Sequence, residues 1–267
     1  MANKIITIDA GHGLYTSGKQ TASNLGTVYK EWSLNDKVVR KIISGLANYN
    51  GVEVHRIDDP TGKTDVPLNT RVNKSNSLKA DIHISIHHNA GGGTGTEVYW
   101  HTYGTAADKK LAGIVAPKLA SKTGMRNRGV KQAQFAVLGC KATAILCEGG
   151  FMDTANDYRL IISDSGQQAY ADAVVEALVE YLGLTKKTQT TASTSTTSSA
   201  TTTTSGGYLV KIVNCTTLNV RKGAGASYEV VTTVKAGEAY TIVEESNGWG
   251  RLKSGVGWIS LTYTQKI

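Results

Sequence analysis

The chain has 267 residues, of which 40% are hydrophobic, and a formal net charge of +8. This length and composition exclude a disordered chain and indicate one large domain or two domains of unequal size. A mild positive charge suits a polyanionic surface such as a cell wall, a membrane or nucleic acid. The sequence contains no nucleic-acid-binding motif and no apolar run of about 18 residues, so we expect neither nucleic-acid binding nor membrane insertion.

The N-terminal residues MANKIITIDAGHG contain only a short apolar run and no small-residue cleavage site after it. This pattern predicts a first β-strand over residues 4–9 rather than an export signal. We therefore expect the protein to remain in the cytosol where it is made. Its three cysteines, Cys140, Cys147 and Cys215, are odd in number and lack metal-like spacing, which predicts reduced, buried thiols.

Two predicted strands end in histidine. The first strand is followed by Gly11-His12-Gly13, and the segment 81–93, DIHISIHHNAGGG, alternates isoleucine with polar residues before it reaches His87 and His88. Neighbouring parallel strands would bring these ends together, at the sheet edge where ligands and catalytic groups collect. The pattern is open to two interpretations, a metal site or structural histidines on a half-buried face.

A helix is predicted after the glycine-rich loop 14–30, because apolar residues recur with helical spacing between Leu34 and Leu46. Ser33 suits the N-cap position, which places Glu31 just before the helix. Its carboxylate either complements the helix dipole or serves as a third metal ligand.

The remaining residues up to 184 alternate between strand and helix patterns, which indicates an α/β fold. We predict strands at residues 51–57, 96–101, 135–138 and 142–147, helices at 70–78, 106–123, 156–162 and 166–182, and a loop at 125–131.

Glu148 directly follows the apolar strand 142–147, where a carboxylate is costly unless it is paired or belongs to a site. His12, Glu31 and one of His87 or His88 would supply the two imidazoles and one carboxylate of a hydrolytic zinc site. Glu148 would then act as the general base that takes a proton from water. From the residues alone, the choice between His87 and His88 stays open.

The composition and the hydrophobic pattern of the sequence change after residue 184. Residues 185–206 are almost entirely Thr, Ser, Ala, Lys and Gln, and we predict a flexible linker there. Residues 207–267 contain six short strand patterns separated by turn signals, which predicts a small all-β barrel or sandwich.

Four separated segments resemble the zinc-dependent N-acetylmuramoyl-L-alanine amidases of the Amidase_3 type: DAGHG at 9–13, the pre-helix Glu31, residues 71–90 and CEGGFMD at 147–153. The resemblance covers residues 1–184 and implies a mixed β-sheet flanked by helices. It also implies hydrolysis of the amide between N-acetylmuramic acid and the first L-alanine of the stem peptide.

Carried over by position, the resemblance assigns one Zn²⁺ ion to three ligands and makes Glu148 the catalytic glutamate. His12 and Glu31 match two of the ligands, and the pattern S-x-H-x-N-A places the third at His87 rather than His88. The loop after His12 lacks the family's usual D-P-G-A-like turn, so the groove wall near residues 14–30 is expected to differ. No substrate-binding residue is assigned.

The segments 218–231 and 245–260 resemble a bacterial SH3-type wall-binding module, which implies an SH3-like barrel and the peptidoglycan of a Gram-positive cell wall as partner. Trp249 and Trp258 either contact the wall or pack the barrel core, and we expect the core. An amidase joined to a wall binder without an export signal resembles a phage or prophage endolysin, which waits in the host cytoplasm until release. A host autolysin is the alternative, and a monomer is expected.

Three other functions compete with this interpretation. A zinc peptidase would cut within the wall peptides instead of at their first residue. A wall-binding protein with an inactive first domain is disfavoured because all three ligands and Glu148 are present. An intracellular SH3-like binder of proline-rich peptides is disfavoured because residues 207–267 lack an acidic-aromatic groove pattern.

Overall fold

The protein, here a computed structural model, divides into two units, Met1–Gln189 and Thr190–Ile267. The structure describes residues 3–187, 203–213, 215–225, 228–246 and 248–267. Most of the predicted linker at 185–206 therefore lies outside the described residues. At its near end Lys186 bridges to Tyr49, and at its far end a strand begins at Thr203.

A six-stranded mixed sheet forms the centre of the first unit, which confirms the predicted architecture. Its strands are β1 (Lys4–Ala10), β2 (Val52–Arg56), β3 (Ile82–Asn89), β4 (Thr96–His101), β5 (Asn127–Ala133) and β6 (Thr143–Phe151). They lie in the order β2-β1-β3-β6-β4-β5. The first four strands in this order run parallel, whereas β4 runs antiparallel to β6 and parallel to β5.

Five helices cover the two faces of this sheet: α1 (Glu31–Leu46), α2 (Leu68–Ser77), α3 (Ala106–Thr123), α4 (Ala155–Ile162) and α5 (Asp164–Leu182). Helices α1, α3 and α5 share one apolar core with the isoleucines of β1 and β3. Alternation turns the polar residues of these strands to the other face. There α2 packs, with Ser75 Oγ 2.8 Å from Thr7 Oγ1.

The largest errors of the sequence-based assignment lie between α3 and β6. Residues 125–131 were predicted as a loop, but β5 begins at Asn127 because it pairs along β4 despite its glycine and charged residues. Residues 135–138 were predicted as a strand, but Ala136–Leu138 form a short 3₁₀ helix. Strand β6 extends to Phe151, so Glu148 lies within the strand rather than after it.

Helix α1 begins earlier than predicted. Its N-cap is Lys30, and Ser33 does not cap it, because the Ser33 hydroxyl donates back to the Lys30 carbonyl at 2.6 Å. Glu31 is thus the first residue of the helix, where the helix dipole favours a carboxylate. The rigid helix therefore carries this side chain directly.

The second unit is all-β, as predicted, and its described residues form one antiparallel sheet of seven strands, one more than the six strand patterns of the sequence. Its strands are β7 (Thr203–Ile212), β8 (Thr217–Arg221), β9 (Val230–Lys235), β10 (Ala239–Ser246), β11 (Trp249–Leu252), β12 (Trp258–Ser260) and β13 (Thr264–Lys266). Aliphatic residues including Val210, Val220, Ile242 and Ile259 form its core. Trp249 and Trp258, which were expected in this core, are only half-buried.

Two further expectations concern the chain as a whole. Among the residues described, no helix combines the length and apolar character needed to cross a membrane. The three cysteines are free thiols; Cys147 is buried within β6, as predicted, whereas Cys140 and Cys215 are only half-buried.

The buried carboxylate of Asp108 joins the start of α3 to β6. It accepts hydrogen bonds from Thr105 at the helix N-cap and from the backbone N–H of Ala144, the latter at 2.6 Å. Asp108→Ala removes the carboxylate half of the capping box and leaves the buried Ala144 N–H unpaired, so we expect it to lower the free energy of unfolding by about 2–4 kcal/mol. Urea unfolding followed by the helical circular dichroism signal measures this change.

The exposed Asp172 on α5 provides the matched control. Asp172→Ala should change the free energy of unfolding by no more than about 0.5 kcal/mol. Equal effects of the two substitutions would show that the Asp108 contacts contribute nothing specific.

Candidate active site and metal centre

The carboxyl ends of β1 and β3 bring two histidines together. Parallel pairing places Ala10 opposite Ile86, and the Gly11 N–H donates to the Ile86 carbonyl at 2.9 Å. His12 follows Gly11, and His87 follows Ile86. The centroids of their imidazole rings lie 4.9 Å apart, edge to face.

Glu31 reaches between the two imidazoles from the first turn of α1. Its Oε2 lies 3.3 Å from His12 Nε2, and its Oε1 lies 3.1 Å from His87 Nδ1. One donor atom from each of the three residues lies within 4.8 Å of the others. The structure therefore brings His12, Glu31 and His87 into one cluster.

The charge of Glu31 is stabilised by its two partners. Burial alone raises the pKa of Glu31, but hydrogen bonds and Coulomb attraction from His12 and His87 outweigh it and hold the pKa well below its usual range. Burial alone lowers the pKa of His87, but the hydrogen bond of His87 to Glu31 and the attraction of nearby carboxylates outweigh burial, so the pKa of His87 is raised overall. The cluster is thus a buried anion that positive charge can neutralise.

This donor set fits a zinc ion. Two imidazoles and one carboxylate with an open fourth position are typical of catalytic zinc sites, and ligands about 2.0–2.1 Å from a tetrahedral ion stand roughly 3.3 Å apart. Glu31 approaches the two histidines at 3.3 and 3.1 Å through different carboxylate oxygens. The three residues therefore fit the ion in their donor chemistry and lie close enough together to share it.

His88 lies on the opposite side of β3 and is not part of the cluster. It is buried, and its Nδ1–H donates to Asn35 Oδ1 at 2.8 Å. Burial lowers the pKa of His88 to about 4, against an opposing attraction from Glu31. The Asn35 amide in turn donates to the Gly11 carbonyl at 3.2 Å. His88 and Asn35 therefore link α1 to β3 and to the backbone just before His12.

Glu148 lies beside His87 on the neighbouring strand. The two residues are register partners of the parallel pair β3–β6, so their side chains leave the same face of the sheet. Glu148 Oε2 is buried without a hydrogen-bond partner. Burial raises the pKa of Glu148 to about 8, although attraction to His87 lowers it in part. An unpaired carboxyl group with a shifted pKa is typical of a catalytic acid or base.

One strand further on, Glu97 is the register partner of Glu148. Its carboxylate is buried but fully paired. It accepts hydrogen bonds from Asn89 at 2.5 Å and from Arg128 at 3.1 Å, and it forms an ion pair with Lys131. Burial by itself raises the pKa of Glu97, but its two cationic partners lower it overall. Glu97 therefore stays ionised, and its negative charge contributes to the raised pKa of Glu148.

An open cleft of about 320 Å³ adjoins the cluster on the side of α2. Its lining consists of Asp9, Gly11, His12, Asp65, Val66, Pro67, Leu68, Arg71, Ser85 and His87. The structure thus leaves space for a substrate next to two of the three donor residues.

Sequence reasoning missed several residues that support this site. Asn35 stands four residues after Glu31 on the same helix face, a spacing that predicts contact. Asp9 ends the apolar strand β1 and is completely buried, so the argument applied to Glu148 would also have identified it. Arg71 falls within the predicted helix 70–78, and no local pattern indicates its distant partners.

Comparison with known families agrees with this architecture. The family model described as N-acetylmuramoyl-L-alanine amidase matches residues 6–180, and that of the bacterial SH3 domain matches residues 216–265. The chain therefore belongs to the Amidase_3 family and carries a bacterial SH3 domain, which confirms both resemblances.

Individual relatives include bacterial and phage proteins. The amidase LytC of Bacillus subtilis is 35% identical over 185 residues, which cover 67% of this chain and 34% of LytC. The endolysin of Bacillus phage SPP1 is 32% identical over 199 residues, which cover 71% of this chain and 70% of the endolysin. Among solved structures, an N-acetylmuramoyl-L-alanine amidase from Clostridium difficile 630 superposes with a TM-score of 0.64 at 28% identity, covering 68% of this chain and 98% of that one.

Gly11 makes room for the His87 imidazole, because an added Cβ would overlap the ring. Gly11→Ala should therefore displace His87 and weaken zinc binding at least about tenfold. A competition titration against a chromophoric chelator measures the affinity of the purified full chain.

Gly113→Ala is the matched control, because nothing lies within 4 Å of the added methyl group on α3. It should leave zinc affinity unchanged and raise helix stability by about 0.5–1 kcal/mol. Wild-type zinc affinity in Gly11→Ala would contradict a ligand role for His87.

Proposed function

We propose that the protein is a zinc-dependent N-acetylmuramoyl-L-alanine amidase that hydrolyses the bond between N-acetylmuramic acid and the first L-alanine of the peptidoglycan stem peptide. One observation carries the proposal: the donor atoms of His12, Glu31 and His87 converge beside Glu148, whose Oε2 is buried and unpartnered. Membership of the Amidase_3 family supports the choice of bond.

In this proposal His12, Glu31 and His87 hold one Zn²⁺ ion. When bound, the ion polarises the scissile carbonyl and lowers the pKa of a water molecule toward about 7. Glu31 supplies the negative charge of the site, and the half-buried histidines shield that charge from bulk water. Two hydrogen bonds keep the Glu31 carboxylate in place. The backbone N–H of His88 donates to Glu31 Oε1 at 3.2 Å, and the Asn35 amide donates to the same oxygen at 3.4 Å.

Glu148 is the proposed general base. Its carboxylate takes the proton of the attacking water and delivers it to the leaving amine of L-alanine, so one group serves both halves of the reaction. Its Oε2 is buried and has no hydrogen-bond partner that would compete for the proton, whereas the paired Glu97 is held ionised by Arg128 and Lys131. These different surroundings support a catalytic role for Glu148 rather than for Glu97.

The second unit is proposed to bind the wall. The bacterial SH3 domain match at 216–265 supports three functional parts: a catalytic domain at 1–184, a linker at 185–206 and a wall-binding domain at 207–267. The partner is then the peptidoglycan of a Gram-positive bacterium, and a monomer suffices for activity. The similarity to a phage endolysin supports a lytic role with residence in the host cytoplasm before release. A host autolysin is the alternative, which the similarity to LytC supports.

Digestion of purified Gram-positive peptidoglycan, with and without a zinc chelator, tests the proposed reaction. We expect intact stem peptides with a free N-terminal L-alanine and uncut glycan strands, and we expect the chelator to prevent their release. Mass spectrometry identifies the new ends. Zinc-dependent cuts within the peptides would instead make the protein a peptidase, and binding without any cut would make it a wall-targeting protein.

Glu148→Gln tests the general base, because it keeps the shape of the side chain and removes its basicity. We expect the rate of stem-peptide release to fall about 100- to 10,000-fold, while zinc affinity and sedimentation with cell walls stay as in the wild type. The exposed Glu53, paired with His55 on β2, supplies the control substitution Glu53→Gln, which should leave the rate unchanged. Wild-type digestion by Glu148→Gln would refute the assignment.

A further inference from the structure

Arg71 is the largest fully buried side chain of the described residues, and it contacts the segment that carries His12. It extends from α2 beneath the end of β1. Its Nη1 donates to Asp9 Oδ1 at 2.6 Å and to the Ala10 carbonyl at 2.9 Å, and its Nη2 donates to the His12 carbonyl at 3.2 Å. Its Nε donates to the Val66 carbonyl at 2.9 Å. All three guanidinium nitrogens are therefore used.

His12 needs such support because of its backbone conformation. Its φ of 67° lies in the left-handed region, and among the described residues only Lys79 shares this feature without being glycine. The conformation is unfavourable for an L-residue and persists only where the surroundings over-determine it. It also sets the direction in which the imidazole leaves the chain, toward Glu31.

The guanidinium fork acts on both sides of this residue. It holds the carbonyl of Ala10 before the turn and the carbonyl of His12 within it. Asp9 fixes the fork itself, because its Oδ1 also accepts a hydrogen bond from Ser85 Oγ at 2.9 Å on β3. The turn is thus tied to α2 and to both histidine-bearing strands.

We propose that Arg71 is a positioning residue of the metal centre: its fork holds the backbone at residues 10–12 so that the His12 imidazole faces Glu31. The inference rests on the proposed function only in treating His12 as a zinc ligand. The competing interpretation is a plain ion pair that attaches α2 to β1 through Asp9.

Lysine separates these two interpretations. In Arg71→Lys the ammonium group can still pair with Asp9, but it lacks the planar fork that spans the carbonyls of Ala10 and His12. A plain ion pair predicts near-normal behaviour of Arg71→Lys and defects only in Arg71→Met. Positioning of His12 predicts that both substitutions damage the metal centre.

The test measures the zinc affinity of the full chain by chelator competition, and the visible spectrum of the cobalt(II)-substituted protein as a report on ligand geometry. We expect zinc affinity to fall about 10- to 100-fold in both Arg71 variants, as for other groups that orient metal ligands, with an altered cobalt spectrum. Wild-type affinity and spectrum in Arg71→Lys would overturn the proposal. If Arg71→Met does not fold, Arg71→Lys alone decides.

Arg56→Met is the matched control. Arg56 on β2 pairs with Asp36 and Asp58 at 2.6 and 2.7 Å, just as Arg71 pairs with Asp9 and, at 3.3 Å, with Asp65. Arg56→Met should lower thermal stability and leave zinc affinity unchanged. An equal loss of zinc affinity in Arg56→Met would mean that general loosening explains the Arg71 effect, and the proposal would fail.

A metal-independent measurement separates this inference from the proposed function. In zinc-free protein, hydrogen exchange of the segment 10–16 should be at least about tenfold faster in Arg71→Lys than in the wild type, with the exchange of α3 unchanged. If the wild type neither binds zinc nor digests walls, the proposed function fails, and this exchange result still decides whether Arg71 holds the turn. Equal exchange rates in that segment would refute its role.

Discussion

The parallel pairing of β1 with β3 is the constraint on which the rest of the site depends. Because Ala10, the last residue of β1, stands opposite Ile86 within β3, the next residues of the two chain segments, Gly11 and His87, are neighbours. The absence of a side chain at Gly11 lets the His87 ring lie against the backbone. A shift of this register by one residue would turn His87 to the opposite face and separate it from His12.

Electrostatics gives the two site glutamates different properties. Glu31 is almost fully buried, but it stands at the first turn of α1 between two imidazoles, which lower its pKa. Glu148 lies on the strand beside them with one oxygen unpartnered, and its pKa rises to about 8. Carboxyl groups whose pKa values are pushed apart by their surroundings commonly divide the roles of charge stabilisation and proton transfer.

The two faces of the central sheet differ in chemistry, one being apolar and the other polar. One face carries the isoleucines of β1 and β3 and packs against three helices, which supplies most of the apolar burial. The other face carries Thr7, Asp9 and Ser85, which are buried beneath α2. Buried polar groups require partners, and Arg71 provides one for Asp9 Oδ1 while it also contacts the turn at His12. The polar face thus connects the stability of the fold to the geometry of the site.

The sequence by itself determined the fold class, the all-β character of residues 207–267 and the histidines at the strand ends, because alternation and helical spacing are local properties that follow from the backbone repeat. It also indicated Glu148, since a carboxylate beside an apolar strand requires a reason. Strand periodicity left the choice between His87 and His88 open, and only the family resemblance pointed to His87. The tertiary structure supplies the physical reason, because period two turns the two residues to opposite faces and the packing of α1 brings Glu31 to His87. Strand β5 and the Arg71 fork were decided only by the tertiary structure, because their hydrogen bonds join residues that are distant in the chain, and no local pattern records such partners.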